Sequence, residues 1–398
     1  MLLALAFLAF VSLGLPDAVL GVAWPSLRTG FGLRQALLGL PLAFSAVAYF
    51  CSGLFAGRLM ELLGVGRLLT LSTALVSFSV IGYALAPSFP LFLVGAPLVG
   101  FGSGAIDAAL NTYAARNFSA QYMSWLHAAY AAGAMAGPVI MTAALANGAS
   151  YRAGYALVGV LLALLVPAFF VSRRRWTSDH LALPGPGRAE VTRINPVAEV
   201  DSPSPHGAGR SGALAALRSR PVQLHIILFF LYAGLEVSAG QWCYTVLTEA
   251  RAVPSTEAGV WTAAYWGGLL AGRLLLGLAV KPLGQLRLLR FATLGAVLAA
   301  SLFALPNALL AAVALPVLSF ALASIYPGLM SETPRRVGEA LAPHAVGFQV
   351  SAATVGMAAV PGITGVLSEH LGLAAVHWVL IACALGVFVV HERVVAGI

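Results

Sequence analysis

The chain has 398 residues, 60% of them hydrophobic and only 9% charged, with a mean hydropathy of +0.90. A soluble protein of this length shows far more polar surface, so the composition excludes a water-soluble globule and indicates a polytopic membrane protein. The formal charge of +8 does not point to nucleic acid, because the basic residues fall in short connections between apolar runs, where they set orientation.

Twelve spans are expected, over residues 2–28, 34–62, 66–87, 89–116, 121–147, 152–172, 222–248, 256–281, 286–305, 308–331, 341–370 and 373–392. The first fifteen residues resemble a signal-peptide core. They lack a basic start and run into Pro16 and Asp17 without a cleavage-like site, so they are read as part of the first span. Asp17 lies near the middle of that span. A charge at the bilayer centre costs about 2.5–3.5 kcal/mol on insertion scales, and it is tolerated where it faces a bundle interior or a wet cavity.

The fourth span carries "GFGSGAIDAALNTYAAR", in which Ser103, Asp107 and Asn111 recur every four residues and form one polar stripe. Gly100 and Gly104 allow a helix or a ligand to approach closely. A carboxylate beside an amide suits a hydroxyl-bearing solute, since hydroxyls both donate and accept. It also suits a proton. The alternative is a packing hydrogen bond between helices. In the fifth span His127 stands one turn before Tyr130, as a relay or ligand donor or as a packed neutral histidine. Pro138 lies further along, in a glycine-rich stretch that bends the helix.

Between spans six and seven comes the one long polar segment, 173–221, whose Pro, Gly and Ser content is that of a linker, with a short surface helix near "GALAALRSR". In the seventh span Glu236 precedes Gln241 and Trp242, an acid, an amide and an aromatic face suited to a sugar. Tyr265 in the eighth span and Gln349 in the eleventh extend this candidate solute site, and Pro361 repeats the bend of Pro138. Trp24 and Trp261 read as interfacial belt residues. Cys51, Cys243 and Cys383 lie inside apolar runs and form no disulfide framework.

The halves repeat each other. "GLFAGRLM" at Gly53–Met60 returns as "GLLAGRLL" at Gly268–Leu275, and Asp17 aligns with Glu236. Two six-helix halves, 1–172 and 222–398, are therefore joined by a linker. With the N-terminus inside, 18 of 22 basic residues count to the linker side, and the opposite side keeps Arg28, Arg34, Arg152 and Arg251. Both termini are thus expected in the cytoplasm. Nucleotide-binding and metal-ligand spacings are absent, so an enzyme, an ATP-driven pump, a cofactor and a metal are not expected.

The sequence resembles the major facilitator superfamily, and within it the fucose:proton symporter family. The likeness rests on "GLPDAVLGVAWPSL", "GSGAIDAALN", "YAGLEVSAGQWCY" and "SIYPGLMSE". The resemblance implies a coupling role for Asp107 followed by Asn111, with Asp where the family has Glu, and a comparable role for Asp17. The superfamily's gate motif is matched by Gly53, Arg58 and Arg67, with Gly57 in the place of its Asp. The expectation is a monomeric, all-α, twelve-helix transporter of the inner membrane. It would move a small polar solute, a sugar, by symport with a proton or with sodium, through alternating access. The alternative is a proton-driven exporter of drugs or lipophilic metabolites. Asp107, Asp17, Glu236 and His127 are the coupling candidates.

Overall fold

A computed structural model describes residues 2–118, 120–176 and 209–396, which are helical almost throughout and contain no strand. Lipid offers no partner to a free N–H or C=O, so a chain of this hydropathy closes its backbone bonds within helices. Helix α1 runs Leu2–Asp17 and, after a break at Ala18, Val19–Phe31. The first set continues with α2 (Gln35–Leu63), α3 (Val65–Leu85), α4 (Phe89–Asn117), α5 (Ala120–Ala146) and α6 (Tyr151–Ser172). The second set comprises α7 (Arg220–Ala250, ending in a π turn), α8 (Ser255–Leu283) and α9 (Gln285–Phe303). It ends with α10 (Ala308–Leu322 and Ile325–Val337), α11 (Ala342–Leu371) and α12 (Ala374–Ala396). Among the described residues, eleven helical units are long and apolar enough to cross a membrane. The expected boundaries hold to within a few residues, except that α10 runs on to Val337 rather than 331.

Both sets pack by one scheme. Helix α1 lies on α5, α2 on α4, and α3 on α4 and α6, while α7 lies on α11, α8 on α10, and α9 on α10 and α12. The turns repeat as well. Gly64 alone joins α2 to α3 at φ 73°, and Gly284 alone joins α8 to α9 at φ 77°, a left-handed geometry open to glycine. The sets meet along α1–α7, α2–α11 and α5–α8. An even number of crossings puts both chain ends and the linker on one side, called here the linker side.

The expected linker is only partly visible. Residues 177–208 lie outside the described residues, with most of the Pro/Gly/Ser-rich stretch. Before them, Arg173–Trp176 form a 3-10 turn that returns Trp176 to the first set, where its indole donates to Ser172 Oγ at 3.1 Å and its ring meets Tyr113. After them, Gly209–Arg218 form the expected short helix, whose Ala216 packs with Val222, Val337, Ala342 and Ala345.

Candidate functional site

The break in α1 places Asp17 at its edge. Pro16 has no N–H for the carbonyl of Ser12, and the regular ladder ends one residue later. The side chain of Gln241, from α7, donates to the freed Asp17 carbonyl at 2.9 Å, so the other set satisfies a backbone group that lipid would leave orphaned. The Asp17 carboxylate accepts from Tyr130 Oη at 2.9 Å and is exposed inside the bundle.

Asp107 is held from two directions. Tyr49 of α2 donates to Oδ2 at 2.8 Å, and Asn111, one turn on, donates to Oδ1 at 2.9 Å. The glycines explain the first contact. A Cβ at Gly104 would stand 2.6 Å from the Tyr49 carbonyl, and one at Gly100 would stand 2.0 Å from that of Ser45. The glycine pair thus seats α2 against α4 and carries Tyr49 to the acid. Ser103, the third member of the stripe, is sealed in the packing with its hydroxyl unpartnered.

Glu236 is the third acid, half-buried in α7 and bonded to the Tyr232 hydroxyl one turn earlier. Tyr265 of α8 donates to the Glu236 backbone carbonyl at 2.6 Å, so it fixes the helix rather than the carboxylate. Tyr326 of α10 packs its ring on Tyr232, at 6.0 Å between centroids, and so stands beside the space around Glu236.

Arg273 was counted above among linker-side cations, yet it sits within α8 and reaches the first set. Its Nη1 donates to the His127 carbonyl at 3.0 Å, and its guanidinium lies 5.8 Å from the centre of the Tyr130 ring. None of the three acids forms an ion pair with it among the described residues. The sequence held a signal for this residue. It is an arginine inside an apolar span, at the position where the first half carries Arg58. Tyr49 carried no comparable signal, because its acid lies 58 residues away, whereas Tyr232 stands one helical turn before Glu236 in the sequence itself.

Other candidates lie apart from this space. Gln349 is fully buried among the second set, bonded to His225 at 2.6 Å and to Thr333, because its side of α11 faces α7 and α10. Trp242 is also fully buried and donates to the Pro361 carbonyl at 3.1 Å. Pro138 and Pro361 sit inside unbroken helices. His127 is exposed, its ring edge-on to Phe10. Arg58 and Arg67 are exposed at the linker-side ends of α2 and α3.

The side opposite the linker is closed. Glu249, in the π turn of α7, accepts from Arg28 at 2.8 Å and from Gln35 at 3.1 Å, and Gln35 in turn accepts from Trp24. Trp24 is therefore a fully buried part of the closure and not a belt residue. Arg34 pairs with Glu369 at 3.1 Å. Below them α2 and α11 touch backbone to backbone, since a Cβ on Gly39 would stand 2.7 Å from the Gly362 Cα. Among the described residues, the polar bonds between the sets lie from the Asp17 level outward, with Arg273–His127 as the exception. The polar closure between the sets is thus concentrated on the side opposite the linker.

A family model for the Major Facilitator Superfamily matches residues 5–348. The chain belongs to this superfamily. Solved superfamily structures share its fold across nearly the whole length. The nucleoside transporter NupG superposes with a TM-score of 0.73 at 13% identity over 100% of this chain and 98% of NupG. A single-site variant of the E. coli fucose:proton symporter FucP gives 0.64 at 16% identity over 98% of each chain. A bacterial homologue of the human lysosomal transporter Spinster, inward-facing and unoccupied, gives 0.67 at 14% identity over 99% of this chain and 96% of that one. Bypass of stop codon protein 6 of Saccharomyces cerevisiae is 23% identical over 286 residues, 68% of this chain and 55% of the yeast protein. The chain thus spans about half the length of that curated relative. As a member of the superfamily it is a multi-pass membrane transporter of twelve helices, with small solutes as its class of cargo.

Proposed function

We propose that this transporter is a proton-coupled symporter of a small polar solute, a sugar, acting as a monomer in the inner membrane with both termini in the cytoplasm. One observation carries the reading. Asp17, Asp107 and Glu236 are three carboxylates inside the bundle, each held by a tyrosine hydroxyl, and the Arg273 guanidinium crosses from α8 to the tyrosine that holds Asp17. Three carboxylates against one guanidinium leave charge that protons can balance, and a bundle interior penalises the unbalanced state. The open acceptor oxygens suit hydroxyl hydrogens of a sugar. The excess of basic residues on the linker side supports cytoplasmic termini. The halves 1–172 and 222–398 rock about the acids, with the segment 173–221 as their tether. Asp107 carries the coupling proton, and Asp17 or Glu236 shares it.

The test is solute uptake into proteoliposomes with external pH recorded. External alkalinisation on adding the sugar is expected. Asp107→Asn keeps solute exchange between equal pools but loses accumulation driven by a pH gradient. Full proton-driven accumulation by Asp107→Asn removes Asp107 from the coupling site. External acidification means antiport, and dependence on sodium alone replaces the proton.

A further inference from the structure

The hydrogen-bond donors around the acids are almost all spent. Tyr49 gives its one to Asp107 and Asn111 one of its two N–H bonds to the same acid, while Tyr130 gives to Asp17, Tyr232 to the Glu236 carboxylate and Tyr265 to the Glu236 carbonyl. Acceptor capacity is plentiful, because each ionised carboxylate has about four lone-pair sites and these contacts use only one or two. A solute made of hydroxyls needs both kinds of partner. Its O–H groups find the carboxylates, but its oxygens need donors from the wall.

Beside the second N–H of Asn111 and of Gln241, two groups from the second set have donors to give. Arg273 has five N–H bonds in a planar fork and uses one, on the His127 carbonyl. It is half-buried and has no carboxylate partner among the described residues. Tyr326 has no hydrogen-bonding partner for its hydroxyl among the described residues. Its ring is fixed against Phe229 and Tyr232, at centroid distances of 5.1 and 6.0 Å. Both side chains come from the second set, Tyr326 packed on the tyrosine that holds Glu236 and Arg273 on the one that holds Asp17.

We infer that Arg273, with Tyr326 of the same set, is the donor side of the solute site and determines specificity: it takes a pair of neighbouring solute oxygens, while the acids take the solute's hydroxyl hydrogens. The inference rests on the reading of the solute as a sugar. It narrows that class to solutes with two adjacent acceptor oxygens, such as a vicinal diol. The anchoring of Arg273 on the His127 carbonyl and over the Tyr130 ring holds the fork in place, which cuts the ordering needed on binding. Arg273 also lies across the seam between the sets, so a solute held there touches both halves.

The experiment measures binding of L-fucose, D-galactose, D-glucose and D-ribose to the purified full chain, followed by the singly deoxygenated analogues of the tightest of them. Hydrogen bonds to charged groups are worth about 1.5–3 kcal/mol, so Arg273→Met is expected to weaken that sugar about 10- to 100-fold. Arg273→Lys restores part of the loss, because it keeps the charge without the fork. One deoxy analogue binds the native chain that much more weakly and is indifferent to Arg273→Met, which identifies the hydroxyl facing the arginine. The analogue series on the native chain is independent of whether the variant folds, and the unliganded melting temperature of each variant reports folding. If native protein binds a sugar and Arg273→Met leaves its affinity unchanged, the inference is wrong and the sugar reading stands. Equal losses for the parent sugar and every analogue give Arg273 a structural role and overturn the inference. If the native chain binds none of the four sugars, the sugar reading falls and takes the inference with it.

Discussion

A carboxylate within a membrane bundle is defined by what holds it, and here each of three acids is held by a tyrosine. Asp17 and Glu236 take one hydroxyl each, whereas Asp107 takes a hydroxyl and an amide. The Tyr49 contact crosses from α2 to α4, so it links Asp107 to a helix that also takes part in the far-side closure. Tyr49→Phe removes one charge-assisted bond and leaves the ring. Uptake at limiting solute is expected to fall about tenfold, from the loss of roughly 1.5 kcal/mol. Tyr83→Phe is the control, because that ring is stacked on Phe92 at 4.1 Å and its hydroxyl serves no acid; its uptake should match the native rate in the same assay. At this scale the sequence showed the acids and the amide plainly, because a charge in an apolar run has few innocent explanations. It did not show that Tyr49 and Tyr130 meet acids 58 and 113 residues away, although Tyr232 stands one turn before Glu236 in the chain itself. It exposed Arg273 only as a repeat of Arg58, although the two differ in place: Arg58 is exposed at the end of α2, and Arg273 crosses to α5.

Among the elements, α1, α2, α7 and α11 form the closure opposite the linker, through two kinds of contact with different strengths. Ion pairs of limited burial such as Arg28–Glu249 contribute about 0.2–1 kcal/mol. The backbone contact of Gly39 with Gly362 allows no side chain between the helices. Spin labels at Thr29 and Leu371, on opposite sets, should give one short distance in the native chain. Glu249→Gln is expected to add a minor longer population, shifting the ratio by up to about fivefold. Gly39→Val wedges the seam and should make the longer distance dominant. An unchanged distance distribution in Gly39→Val would mean that the seam opens without α2 and α11 separating. The break at Ala18 belongs to this scale too. Pro16 made a bend foreseeable, but the rescue of the Asp17 carbonyl by Gln241 was not, so an amide read as a solute ligand turns out to mend the backbone of the other set.

For the whole molecule, the two sets share one packing scheme and the Gly64 and Gly284 turns, and the proposed rocking makes the linker a tether between them. A protease site inserted at Pro196 tests tether and orientation together. Cleavage is expected in inside-out vesicles and not in right-side-out ones. The two fragments should still co-elute after solubilisation, held by α1–α7, α2–α11 and α5–α8. Cleavage only in right-side-out vesicles would reverse the assigned topology, and fragments that separate would show that the linker holds the halves together.

By itself the sequence determined the environment, the number and limits of the spans, the duplication and the acids that had to face inward. These follow from hydropathy and from the cost of charge in lipid, which act along the chain and need no knowledge of neighbours. Only the tertiary structure decided which tyrosine holds which acid, that Gln349 and Trp242 turn into the packing, that Trp24 belongs to a closure, and that Arg273 reaches across the seam. Those outcomes depend on helix rotation and on which backbones the glycines let touch. Residues far apart in the chain meet there, and their pairing is a property of the packed bundle.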